Sequence, residues 1–134
     1  MHDYHRVVRL ADTDATGVIY FSNVQQICME SFEDFLDTFG VRLSKMLEQG
    51  PVHLPVVHVE ADYLAPMKAG DHLKVEMRLS KIGTTSFSFK YNIFCKEEGL
   101  VIATLLITHV VLDRETKKPT TVPQDLLVIL ERAK

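Results

Sequence analysis

Ser22-Asn23-Val24-Gln25-Gln26-Ile27-Cys28-Met29-Glu30-Ser31-Phe32-Glu33-Asp34-Phe35-Leu36-Asp37-Thr38-Phe39 is the stretch on which the fold turns. Val24, Ile27, Cys28, Ser31, Phe32, Phe35, Leu36 and Phe39 recur at steps of three and four, which puts them on one face of an α-helix. Gln25, Gln26, Glu30, Glu33, Asp34 and Asp37 take the other face, an acidic stripe without basic partners in the sequence around it. Ser22, with Gln25 three residues on, predicts an N-cap. Gly40 suits the position just past the C-terminus.

Outward from this helix the period changes. On its N-terminal side residues 4–10 read as a short strand, and residues 11–17 (Ala-Asp-Thr-Asp-Ala-Thr-Gly) are too poor in apolar side chains for anything but a loop. On its C-terminal side residues 44–48 add a turn or two of helix before Gly50-Pro51. Alternation of period two then follows: Val57, Val59, Ala61 and Tyr63; Leu73, Val75, Met77 and Leu79; Phe87, Phe89, Tyr91, Ile93 and Cys95. Glu97-Glu98-Gly99 is a hairpin signal. Residues 100–112 are apolar on both faces, which predicts a central strand covered on both sides. Pro123 opens a last helix over residues 124–132. Hairpin-length connections make the sheet antiparallel. The expected fold is α+β, an antiparallel five-stranded sheet against one long helix, with residues 1–134 as a single domain. One helix covers one face only, so a second copy is expected to cover the rest, as a homodimer or homotetramer.

Composition bounds the function classes. Fifteen Lys and Arg against eighteen Asp and Glu leave a net charge of −3, which excludes a strongly basic nucleic-acid footprint. No run approaches the roughly 20 apolar residues of a membrane span. The N-terminal Met-His-Asp-Tyr-His-Arg has no apolar leader core, and two cysteines without a CxxC fit a reduced compartment, so a cytoplasmic location is expected. Cys28 and Cys95 read as buried small hydrophobes. No GxSxG, P-loop or GxGxxG is present. Of the six histidines none forms HExxH or a zinc-type Cys/His spacing, and His53 and His58, five apart in a strand, point to opposite faces, so no metal is expected.

Asp12-Thr13-Asp14-Ala15-Thr16-Gly17-Val18-Ile19-Tyr20-Phe21 stands out. Two acids, a glycine and two aromatics come directly before the longest helix. Its N-terminus offers unpaired amides and a positive dipole end beside a carboxylate. Such an arrangement suits a carbonyl oxygen gaining negative charge during acyl transfer, and it equally suits an acidic cap that stabilises the helix. Glu30 is the first carboxylate of the acidic stripe that could face a cleft at a subunit boundary.

Residues 10–21 resemble the signature of the hotdog-fold acyl-CoA thioesterases of the 4-hydroxybenzoyl-CoA thioesterase type. The resemblance continues at Met29-Glu30-Ser31-Phe32, Leu54-Pro55-Val56-Val57-His58, Asp62-Tyr63-Leu64-Ala65-Pro66 and Gly70-Asp71-His72-Leu73. It implies a sheet wrapped around the helix, two sheets joined edge to edge, and an active site at the subunit boundary. It implies Asp14 as nucleophile or general base, helix amides near Tyr20 and Phe21 polarising the thioester oxygen, and Gly17 turning the backbone into the helix. No cofactor is implied, because coenzyme A belongs to the substrate. Tyr20-Phe21 and Val57-His58 are similar to members acting on 1,4-dihydroxy-2-naphthoyl-CoA, with His58 read either as a partner for a substrate hydroxyl or, equally, as a satisfied strand histidine. Gly83-Thr84-Thr85 stands where some members carry a basic cluster for the CoA phosphates, which leaves Lys81 or Lys90 for that task. Short-chain acyl-CoA or acyl-carrier-protein hydrolysis, a dehydratase, and a non-catalytic acyl-thioester binding module are the other readings. The dehydratase would need a histidine with an acid, and neither His58 nor His109 has an evident acidic companion in the sequence.

Overall fold

Four long strands and one short one build the frame. In the computed structural model, which describes residues 1–134, the elements are β1 (His2–Val7), α1 (Phe21–Thr38), α2 (Leu43–Gln49), β2 (Val52–His53), β3 (Val56–Tyr63), β4 (His72–Ile82), β5 (Ser86–Cys95), β6 (Leu100–Val110), β7 (Leu112–Asp113) and α3 (Gln124–Leu130). β1, β4, β5, β6 and β3 lie side by side in that order, every pair antiparallel. β2 and β7 form a separate two-stranded ribbon. The α+β architecture with a five-stranded sheet against one long helix is therefore the one observed. No helix is long and apolar enough to cross a membrane.

The helix lies on the sheet through its periodic face. Val24, Ile27, Cys28, Ser31, Phe32, Phe35 and Leu36 are all buried. Phe32 meets Phe87 and Phe89 with ring centroids 6.1 and 5.6 Å apart, and Phe35 meets Phe89 at 6.1 Å. Those phenylalanines belong to the inward register of β5, with Tyr91, Ile93 and Cys95. Cys28 and Cys95 are unpaired and buried, as small hydrophobes. Gly40, at φ 74°, ends α1 with a Schellman pair, Val41 N–H to Leu36 carbonyl at 3.1 Å and Gly40 N–H to Asp37 carbonyl at 3.0 Å.

Several boundaries differ from the sequence reading, each for a tertiary reason. β1 runs over His2–Val7 rather than residues 4–10, because the Asp12 carboxylate accepts the Arg9 N–H at 2.8 Å and bends residues 10–12 into a 3-10 turn. Ser22 is not the N-cap. Tyr20 is, with no side-chain capping bond, and α1 begins at Phe21. β6 is next to the edge, and β5 is central. The outward side of β6 is not uniformly apolar: Leu106 and Val110 alternate with Thr104 and Thr108, all half-buried. A β-bulge falls between Val56 and His58, so Val57 drops out of register and stands 60% exposed while Val59 and Ala61 keep the inward side.

Candidate active site

The Asp14 loop is a tight hairpin rather than an open coil. Asp14 N–H donates to the Val18 carbonyl at 2.9 Å, Gly17 N–H donates to the Asp14 carbonyl at 3.1 Å, and Thr13 bridges Ile19. Gly17 adopts φ 79°, the left-handed backbone that closes a three-residue hairpin loop and that glycine takes without strain. Val18 bridges Lys68, and Ile19 N–H donates to the Met67 carbonyl at 2.8 Å. The loop is thus stitched to the segment joining β3 to β4.

Its start is tied to both the sheet and the helix through Asp12. The Asp12 carboxylate takes a two-point ion pair from Arg6 on β1, with Arg6 Nη1 on Oδ2 and Nη2 3.0 Å from Oδ1. Both side chains are largely shielded, at 16% and 13% exposure. The backbone carbonyl of Asp12 accepts the Tyr20 N–H at 3.2 Å and the Asn23 side-chain amide at 2.8 Å. These last two bonds stand in for a side-chain cap at the start of α1.

Asp14, held between these anchors, is half-buried. Its Oδ1 accepts the Thr16 hydroxyl and the Thr16 N–H at 2.7 Å. The Thr16 hydroxyl, then its amide, hold the Asp14 carboxyl below the usual carboxylate range. No hydrogen bond engages Oδ2, which leaves one carboxylate oxygen free on an ionised group. At the head of the 18-residue α1 the Tyr20 amide is spent on Asp12, whereas the amides of Phe21 and Ser22 have no acceptor in the chain. Of the amides near Tyr20 and Phe21, that of Tyr20 is therefore occupied and those of Phe21 and Ser22 are open. Next to them Phe21, Val24, Tyr63, Leu64, Pro66 and Met67 line an apolar groove of about 320 Å³. The Tyr63 hydroxyl donates to the Phe21 carbonyl at 3.1 Å, and the two rings meet edge to face at 6.2 Å. Phe21 is 71% exposed and Tyr20 51%, unusual for aromatics in one chain.

The other sequence candidates lie elsewhere in the chain. Glu30 does have a basic partner: its Oε1 accepts Arg6 Nε at 2.7 Å and the Tyr4 hydroxyl at 3.0 Å, so it braces α1 against β1. The acidic stripe is also met at Asp34, 2.8 Å from His2 Nε2. His58 does have an acidic companion, Glu60 at 2.8 Å, but both are more than half exposed, on the side of β3 away from α1. Val57 sits exposed at the bulge. Lys90, paired in register with Arg78, and Lys81, opposite Ser88, are exposed on the outward side of the sheet. At the end of the sheet where the Asp14 loop begins, His5, Arg6, Arg9, His72 and Lys96 line a cleft of about 420 Å³. Sequence spacing does not reveal this cleft, because its residues come from β1, the loop after it, the start of β4 and the β5–β6 turn.

A family model, thioesterase-like superfamily, matches residues 8–130. The 1,4-dihydroxy-2-naphthoyl-CoA hydrolase of Nostoc punctiforme is 35% identical over 128 residues, 96% of this chain and 85% of that protein. The protein of the same name from Rippkaea orientalis is 31% identical, over 95% of this chain and 93% of its own. A solved structure of a 1,4-dihydroxy-2-naphthoyl-CoA thioesterase from Synechocystis superposes with a TM-score of 0.90 at 31% identity, covering 96% of this chain and 94% of that one. This chain belongs to the thioesterase-like superfamily.

Proposed function

We propose that this member of the superfamily hydrolyses an aryl-CoA thioester of the 1,4-dihydroxy-2-naphthoyl type to the free acid and CoA. One observation carries the reading. Phe21, whose amide and that of Ser22 are unpaired, lines an apolar groove with Val18 and Ile19, and Asp14, with one carboxylate oxygen outside its Thr16 bonds, is held in the same hairpin by its bond to Val18. The thioester carbonyl oxygen sits on those amides, which gain strength as it becomes an oxyanion at the positive end of α1. Asp14 acts on the carbonyl carbon in one of two balanced ways. As a base it takes a proton from the water that adds to the carbon, and the C–S bond then breaks to release CoA thiolate. As a nucleophile it forms an acyl anhydride with loss of the thiolate, and water then cleaves the anhydride. Single turnover in ¹⁸O-labelled water tests for the anhydride, since label enters Asp14 only when water opens an anhydride at the aspartyl carbon, whereas attack at the acyl carbon labels the product acid on either path. A thioester needs no more apparatus than this, because thiolate is a good leaving group.

Sequence identity of 31% and 35% to two proteins named as 1,4-dihydroxy-2-naphthoyl-CoA hydrolases supports the aromatic acyl group. The exposed rings of Tyr20 and Phe21 suit it as well. For the CoA phosphates the cleft of Arg9, His72 and Lys96 is a better-placed partner than Lys81 or Lys90 of the same chain. The open edge of β3, flanked by exposed Val57, Tyr63 and Leu64, supports an edge-to-edge homodimer that closes the groove. Thiol release from benzoyl-, naphthoyl-, short aliphatic and long aliphatic CoA esters tests the function. The expected result is a kcat/KM for the naphthoyl ester at least about tenfold above the aliphatic ones, in keeping with the worth of pocket contacts. Equal rates, or a preference for aliphatic esters, contradict the aryl assignment.

A further inference from the structure

Away from the Asp14 loop, towards the opposite end of the sheet, α1, α2, β2 and the end of β6 surround a cavity of about 460 Å³. Its wall is apolar apart from three side chains: His53, His109 and Lys117. His109 is fully buried, with its ring against Phe32 and Phe87 at centroid distances of 4.9 Å each. Its Nδ1 lies 2.9 Å from the Leu54 carbonyl oxygen. A carbonyl only accepts, so Nδ1 carries the proton and Nε2 presents a bare lone pair. Burial lowers the pKa of His109, which keeps the ring neutral and Nε2 an acceptor. Nothing in the chain donates to it, and Nε2 of His53 is likewise buried without a partner. Native interiors hold few such orphans, and two in the wall of one cavity call for an explanation. Lys117 is the only charged residue of the wall. It makes no ion pair, and its φ of 60° is the left-handed position that closes the turn between Asp113 and Lys118. An apolar slot with a few convergent polar groups is the make-up of a small-molecule site.

We propose that this cavity binds a planar aromatic carboxylic acid that carries a hydroxyl group. The hydroxyl donates to His109 Nε2, the ring lies among Met29, Phe32 and Leu47, and the carboxylate meets Lys117. The site rests on the cavity's own chemistry and not on thioester cleavage by Asp14.

The test is binding to the full chain, followed by fluorescence or calorimetry, of three probes: 6-hydroxy-2-naphthoate, 2-naphthoate and 2-naphthol. Binding of free acids involves no turnover, so this test and that of hydrolysis fail separately. The hydroxy acid is expected to bind at least about tenfold more tightly than 2-naphthoate, as a buried acceptor gains its donor. Lys117→Ala is expected to weaken both acids several-fold and to leave 2-naphthol unchanged. Leu47→Trp, at a half-exposed wall residue, is expected to fill the cavity and remove binding while the fold persists. In the wild-type protein, which avoids altering the buried ring, the ¹⁵N resonance of His109 Nε2 is expected to shift with the two hydroxylated probes and not with 2-naphthoate. Equal affinities for the two acids, an unmoved His109 resonance at saturation, or unchanged binding in Leu47→Trp each overturns the proposal.

Discussion

Replacing Asp12 by alanine should loosen the Asp14 loop from its anchor on β1 while keeping the backbone bonds of residue 12 to the head of α1 and leaving Asp14 itself untouched. The variant loses both Arg6 contacts and the bond to the Arg9 amide. Charge-assisted bonds contribute about 1.5–3 kcal/mol each, and breaking a buried pair costs about 3–5 kcal/mol. Arg6 keeps Glu30, and the pair retains some solvent contact at 16% and 13% exposure, so the loss falls at or below the lower end of the buried-pair range, about 2–3 kcal/mol. For a chain of this size that lowers Tm by roughly 6–15 °C. The pH dependence has a definite sign. Arg6, and then the Arg9 amide, hold the Asp12 carboxyl below its ordinary 3.8. Its contribution to stability is therefore complete above that value and is lost as pH falls through the still lower folded value. The Tm gap between wild type and Asp12→Ala should be constant from pH 6 to 8 and should close below about pH 4. A loop carboxylate misplaced by about 1 Å costs up to about 10²-fold, so kcat should fall at least tenfold at a temperature where the variant is still folded. Calorimetry across pH and thiol-release kinetics measure both. A Tm within 2 °C of wild type, or a gap that widens in acid, would refute the anchoring role of Asp12.

Thr16→Val removes the hydroxyl that bonds Asp14 Oδ1, so the acid limb of the kcat/KM profile should move up towards the ordinary carboxylate value; a limb that stays in place contradicts the assignment of that limb to Asp14. At Gly17 a Cβ meets nothing within 4 Å, so Gly17→Ala should cost only the left-handed backbone strain of about 1–2 kcal/mol, and a loss above about 4 kcal/mol in denaturant titration argues for a packing role instead. Phe32, 2% exposed and in contact with Phe87, Phe89 and His109, should lose about 3–5 kcal/mol on Phe32→Ala by chemical denaturation. Sedimentation should give twice the chain mass for the β3-edge dimer; the mass of a single chain at micromolar concentration would contradict it.

The α1 helix and the alternation of β4 and β5 were legible because a buried face imposes its period directly on the sequence. Residues 10–21 could be singled out by composition, but the residues alone left capping and catalysis level. The resemblance tipped the reading towards Asp14. The misses share one cause. The Val57 bulge, the Arg6–Asp12–Glu30 ion cluster, the substitution of Asp12 for a Ser22 cap, and the basic cleft around Arg9 and Lys96 each depend on residues far apart in sequence. Arg6 and Glu30 are 24 positions apart, beyond the reach of any helical or strand spacing. His109 reads from sequence as one more histidine in an apolar strand. Only the folded neighbourhood reveals that Leu54 takes one nitrogen and leaves the other bare.

The central claim is that the free oxygen of Asp14 drives thioester cleavage. Steady-state hydrolysis of the naphthoyl-type CoA ester by wild type and Asp14→Asn, with the fold of both verified by circular dichroism, tests it most directly. Asparagine keeps the size and the Thr16 contact but is neither a base nor a nucleophile. The account predicts a fall in kcat of about 10²-fold or more with KM changed little. A kcat within a few-fold of wild type would contradict it and would move catalysis away from this loop.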